Sequence, residues 1–225
     1  MPYRKVVFSP GETYHLTNHG VGSQTLFKTD YDYSTFIGRI NFYRFPTGLR
    51  FSSFSKFSPK EKTVFLNNCR KNEKPLVNIL LFELLPNHFH LVVEEAQEKG
   101  TQTFMGNLQN SYARYFNIIN KRKGPLFQSA FVAVHVVDDE QLMYLSGYVH
   151  INAYAAFLVK KNDLWSYRWS SLPSYIGLEP KYDFLEKEKV LSLFDNNQEK
   201  YRDYLDRQAD HHKERAILKR TKENL

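Results

Sequence analysis

A single cysteine, Cys69, serves a chain of 225 residues. That excludes an intrachain disulfide and any cysteine-rich zinc site, and it suits a reducing compartment. Long apolar runs are missing as well: no stretch approaches the ~20 residues that a membrane span requires. The opening segment, MPYRKVVFSP, lacks the apolar core of a secretory leader. The sequence therefore predicts a cytoplasmic protein with no membrane partner. No internal repeat is found, which sets aside solenoids and propellers.

What the chain does have is aromatic mass. Its 18 Phe and 15 Tyr, with 42% hydrophobic residues overall, give the composition of a folded globular protein rather than a disordered one. The length suits one domain with additions. A formal charge of +7 and a pI near 9.3 favour polyanionic partners, because Lys and Arg that neutralise phosphates release condensed counterions.

Alternation of polar and apolar residues predicts a first strand over 12–18, ending at the His19-Gly20 turn. Near-helical spacing of Tyr33, Phe36, Ile37, Ile40 and Phe42 predicts a helix over 30–45, stopped by Pro46. Residues 46–75 mix Gly, Pro, Ser and Lys and read as an insertion or connector, with a short helix over 59–70. A strand over 77–84, a Leu85-Pro86-Asn87 turn and a returning strand over 88–94 follow. Then come a helix over 103–120, a strand over 126–137 and a helix from Asp138 or Asp139 to about residue 158. This order predicts an α+β fold, a ferredoxin-like or RRM-like antiparallel sheet backed by helices. Residues 1–178 are expected to form the main domain and 179–225 a charged helical extension, its last turns solvated or frayed.

Two pairs of residues carry candidate chemistry. His88 and His90 flank Phe89 on a predicted strand, so both imidazoles project from one face and offer half a metal site; surface or packing histidines are the alternative. Tyr148 and Asn152 lie four residues apart on a predicted helix, placing a phenol and an amide on one face; a core tyrosine and a helix-end asparagine are the alternative. His135, His150 and Glu94 receive no catalytic role, although Glu94 has the spacing to orient a histidine from behind.

The segment PNHFHLVV over 86–93 resembles the P-N-H-hydrophobic-H-L element of IS200-like and REP-associated tyrosine transposases, the HUH type with one tyrosine. YVHIN over 148–152 is similar to that family's Y-[IV]-H-x-N element, and YHLTN (14–18), YARYFN (112–117), GPLFQ (124–128) and WSS (169–171) fall in the family's order. The likeness spans residues 12–177. It implies that His88, His90 and Asn152 hold a divalent ion, Mg²⁺ or Mn²⁺, and that Tyr148, on its helix, is the nucleophile. It further implies a 5′-phosphotyrosine intermediate on single-stranded DNA near a hairpin or palindrome, in transposition or repeat processing, in the bacterial cytoplasm at the nucleoid. Relatives act as monomers or homodimers. Arg114, Lys121, Arg122 and Lys123 would then follow the DNA backbone, and Tyr112 and Tyr115 would stack bases, unless those aromatics are a core stripe. Departures are His19 in place of an Arg, Ser129-Ala130 in place of Gly-Arg, and Ala153 in place of Pro. A hairpin-binding protein without turnover and an RNA endonuclease on the same fold are the competing readings.

Overall fold

In the computed structural model, residues 6–223 are described, with side chains through residue 214. The chain order is β1 (Thr13–His19), α1 (Asp30–Tyr43), α2 (Phe51–Phe54), α3 (Pro59–Asn72), β2 (Val77–Leu85), β3 (His88–Glu95), α4 (Gly100–Ile119), β4 (Val132–Val136) and α5 (Asp139–Ala155). Short helices α6 (Lys161–Leu164), α7 (Leu172–Tyr175) and α8 (Glu188–Leu191) lead to the long α9 (Gln198–Glu223). The four strands form one open antiparallel sheet in the order β2-β3-β1-β4. With α1 and α4 as crossovers, this is the expected ferredoxin-like arrangement.

Local signals set the element ends. Thr29 accepts from the Asp32 amide while the Asp32 carboxylate accepts from the Thr29 amide, a capping box that starts α1; Ser58 and Glu61 do the same for α3, with Pro59 in its first turn. Pro86 and Asn87 form the two-residue turn between β2 and β3. Asp138 caps α5 by accepting from the Gln141 amide at 2.7 Å.

The chain divides into two compact units. One contains residues through 79, 86–88 and 93–135; the other contains 80–85, 89–92 and 136 onward. The first unit packs α1 against α4, with Phe27, Phe36 and Tyr112 at its centre. The expected insertion or connector, 46–75, holds the expected helix as α3 and is ordered by packing: Phe51 and Phe54 of α2 join Phe42 of α1 in a buried cluster, with Phe65 of α3 against it. The second unit packs α5 against α9.

Two expectations need correction. The strand predicted over 126–137 is confined to Val132–Val136. Phe127 makes only an isolated bridge to Gly20, because β1 has already ended at His19 and no longer offers a ladder. The C-terminal segment is helical but not solvated all round. Tyr201, Leu205 and Ala209 are fully buried on one stripe of α9, and His212 nearly so.

Candidate active site

β3 and α5 supply the second unit's reactive groups. His90 is buried on β3, and Asn152 on α5 donates from Nδ2 to its Nε2 at 2.8 Å. One turn earlier on α5, Tyr148 stands edge-on to the His90 ring, with centroids 5.7 Å apart. Tyr148 remains 37% exposed, so its ring meets His90 while the side chain keeps access to solvent. Burial, then the nearby Glu83 and Tyr144, push its phenol above the ordinary value, so the hydroxyl keeps its proton at neutral pH. The structure thus gathers His90, Tyr148 and Asn152.

His88, the other strand histidine, is half-buried in the first unit. Its Nδ1 lies 2.8 Å from Asn87 Oδ1, which fixes the proton on Nδ1 because an amide oxygen only accepts. Its Nε2 is then the ring's lone-pair nitrogen. Burial, with a smaller contribution from His19, lowers its pKa to about 4, so the ring is neutral at physiological pH. His19 stacks on it at 4.6 Å between centroids and 16° between planes. The residue that departs from the expected Arg therefore buttresses a candidate ligand.

The candidate DNA contacts fare unevenly. Tyr112 is fully buried and its hydroxyl donates to Leu26 O at 2.7 Å, so its ring is core and cannot stack a base; this corrects the expectation. Arg122 is committed to its own chain, donating to Asn117 Oδ1 and to Pro125 O beyond the end of α4. Lys121 and Lys123 are exposed, as is Arg114. Tyr115 is half-buried, its hydroxyl donating to Asp32 Oδ1 at 2.8 Å. Glu94 accepts from Asn78 at 3.1 Å, a bond between neighbouring strands.

Sequence reasoning missed four residues around α5. Glu83 on β2 is completely buried, and neither carboxyl oxygen finds a hydrogen-bond partner at good geometry; the Ala153 backbone only partly offsets the burial that drives its pKa well above the ordinary carboxyl value. A carboxylate inside the run VNILLFELL was its only signal in the sequence. Tyr201 of α9 and Ser171 bracket His150, each hydroxyl 2.6 Å from one ring nitrogen. Phe82 N donates to Ser171 and Ser171 donates to Phe82 O, so the chain runs consistently from the Tyr201 hydroxyl through a neutral His150 to Ser171. His212, on α9, has its ring centroid 6.1 Å from that of Tyr148.

Among the described residues, no three His, Cys, Asp or Glu side chains converge as a metal site. No protein-family profile and no curated protein sequence matches the chain. A solved structure of a REP-associated tyrosine transposase bound to a REP hairpin is similar over 83% of this chain and 98% of that one, with a TM-score of 0.53 and 14% sequence identity. The chain has that transposase's fold. The four-stranded sheet backed by helices, of the expected α+β class, is consistent with that fold. No helix among the described residues is long and apolar enough to cross a membrane.

Proposed function

We propose that this protein is a metal-dependent single-stranded DNA endonuclease and strand transferase of the HUH tyrosine type, akin to the REP-associated transposases, acting at hairpin-containing DNA. The observation that carries the reading is the gathering of Tyr148, Asn152 and His90, with the 2.8 Å contact between His90 Nε2 and the Asn152 amide. The shared fold with a transposase bound to a hairpin adds to it.

The donor set fits a divalent ion of the Mg²⁺ or Mn²⁺ class. By residue type His88, His90 and Asn152 would hold it: His88 carries a neutral lone-pair Nε2 with its other nitrogen engaged by Asn87, and within the second unit His90 Nε2 meets the Asn152 carboxamide, whose oxygen would serve once the group is turned. Three uncharged ligands leave the ion's charge intact to polarise a phosphodiester and offset negative charge on its oxygens. Tyr148 does the covalent work. Its Oη forms a bond to phosphorus as the bond from phosphorus to the 3′ oxygen breaks; the phenolic proton passes to solvent and the departing 3′ oxygen takes one up from solvent, leaving a free 3′ hydroxyl. A phenol, though its pKa is raised here by burial, leaves more readily than an alkoxide, so re-attack by a hydroxyl restores the phosphodiester on the new partner. The Asn152 amide nitrogen can only donate, so the His90 Nε2 it meets carries the lone pair that a ligand needs.

The test is incubation of the full chain with labelled single-stranded hairpin DNA, with Mn²⁺ or with EDTA, read by denaturing electrophoresis. A labelled protein band that needs Mn²⁺ is expected, and Tyr148→Phe should lower it by at least about a thousandfold while sparing hairpin binding. An adduct that persists in Tyr148→Phe refutes the nucleophile. Hairpin binding without any adduct points instead to a binding protein, and equal cleavage of matched RNA hairpins to an RNA endonuclease.

A further inference from the structure

The first unit contains a cavity of about 540 Å³ between α1, α2 and α4. That is the size of a small-molecule or single-nucleotide site. Arg39 of α1 lies in its wall, 5% exposed. Its Nε donates to Ser111 Oγ and its Nη1 to Thr35 O and Oγ1, whereas Nη2 makes no hydrogen bond among the described residues. None of these partners is a carboxylate, and burial lowers the guanidinium pKa. A buried cation ordinarily has an anion beside it, because desolvation is otherwise uncompensated. Here the neighbours are aromatic: the guanidinium lies 4.2 Å from the Phe51 centroid and 5.0 Å from that of Tyr115.

Two further cations face the same space. Arg50, at the start of α2, and Arg114, on α4, are exposed, line the cavity and have no ion pair among the described residues. Asn107 and Asn110 add carboxamides, which present a donor and an acceptor side by side as a base edge requires. At the mouth stand Tyr31, Ile118 and Ile119, each more than 60% exposed. Large apolar groups gathered at a cavity mouth beside unpaired arginines are the lining of a ligand with a flat face and a negative charge.

We propose that this cavity is a nucleotide site, its aromatic wall taking one nucleobase and Arg39, Arg50 and Arg114 taking the attached phosphate. The ligand class is a phosphorylated nucleoside, either free or as one unit of a single strand. The site belongs wholly to the first unit and does not rest on the Tyr148 reaction. It also gives the added segment 46–75 a task, since Arg50 and Phe51 come from it.

The experiment measures binding by the full chain in EDTA, so that cleavage plays no part. Calorimetry is run with dAMP, deoxyadenosine and inorganic phosphate, and anisotropy with a short labelled single strand. Arg50→Glu/Arg114→Glu is compared with Lys60→Glu/Lys71→Glu, an equal charge reversal on exposed positions of α3 outside the cavity. Buried Arg39 is left intact to keep the fold. The arginine pair should weaken dAMP or the strand by at least about tenfold, as expected for lost charge-assisted bonds, and the lysine pair by far less. An effect on dAMP identifies a free nucleotide, and an effect on the strand alone identifies a unit of DNA. Equal losses in both double variants, no loss in either, or, where the strand is unaffected, dAMP binding no tighter than phosphate overturns the proposal.

Discussion

Glu83 is a residue that the fold tolerates rather than uses for stability. Because its carboxyl pKa is raised in the folded state, the folded protein holds that proton more tightly than the unfolded chain does. Its contribution is present below the ordinary carboxyl value and is lost as pH rises above it, since the unfolded chain gains solvation on ionising and the buried group does not. Glu83→Gln keeps the shape and removes the ionisation. It should stabilise the protein at neutral pH by roughly 1–3 kcal/mol, with a smaller gain at pH 4 than at pH 8. Urea denaturation of both proteins at the two pH values checks this, and a destabilised Glu83→Gln at pH 8 would show that the carboxyl has an unrecognised partner. Residue type and spacing put His88, His90, Tyr148 and Asn152 forward as one site, and of these His90 touches both Tyr148 and Asn152 in the fold. Glu83, Ser171 and Tyr201 were not, because their meaning depends on which segment lies opposite, and no periodicity encodes that.

At the scale of elements, α9 reverses its sequence appearance. Alternating charges suggest a solvated helix, yet Tyr201, Leu205, Ala209 and His212 form one stripe at helical spacing, narrow enough to be hidden among the charges. That stripe meets α5, where Gly147 has no side chain and Tyr204 comes close: a methyl group at that glycine would sit 3.1 Å from the Tyr204 ring. Leu205→Ala should therefore cost about 2–5 kcal/mol, the range for a fully buried leucine, and not the few tenths expected of a solvated helix. A chemical denaturation midpoint unchanged from wild type would put α9 back in solvent. Phe65 and the other phenylalanines of 42–65 teach the same lesson for the segment read as a connector. Its turn-rich composition was plain, but the contacts that order it run to α1, which sequence spacing does not disclose. β4 was overdrawn for a related reason, since β-forming residues continue where the neighbouring strand has stopped.

For the molecule as a whole, buried histidines set the acid limit of stability. His15 in the first unit is held to about 4 and His150 in the second to about 3, both by burial. An unfolded chain takes up these protons near pH 6.5. With the folded pKa values depressed, the neutral rings' contribution is complete above about 6.5, begins to fall as the unfolded chain protonates, and keeps falling until the folded values are reached. Each group should remove about 1.4 kcal/mol per pH unit below 6.5. Denaturation midpoints of the Glu83→Gln protein at pH 7 and pH 5 test this, since that substitution removes the carboxyl whose raised pKa acts in the opposite direction; equal midpoints would mean that one or both rings are protonated in the native state.

The division of the chain bears on how such a protein can be taken apart or inherited. The unit that contains Tyr148 is assembled from three separate stretches, 80–85, 89–92 and 136 onward. No single cut of the gene yields it, because His90 would be left behind with the other fragment. A recombination event that moved the tyrosine helix and everything after it into a new host would deliver a nucleophile without its histidine, with His150 and Tyr201 together but Phe82, the backbone partner of Ser171, missing. The hairpin of β2 and β3 and the chain from residue 136 onward are bound to descend together, or not at all.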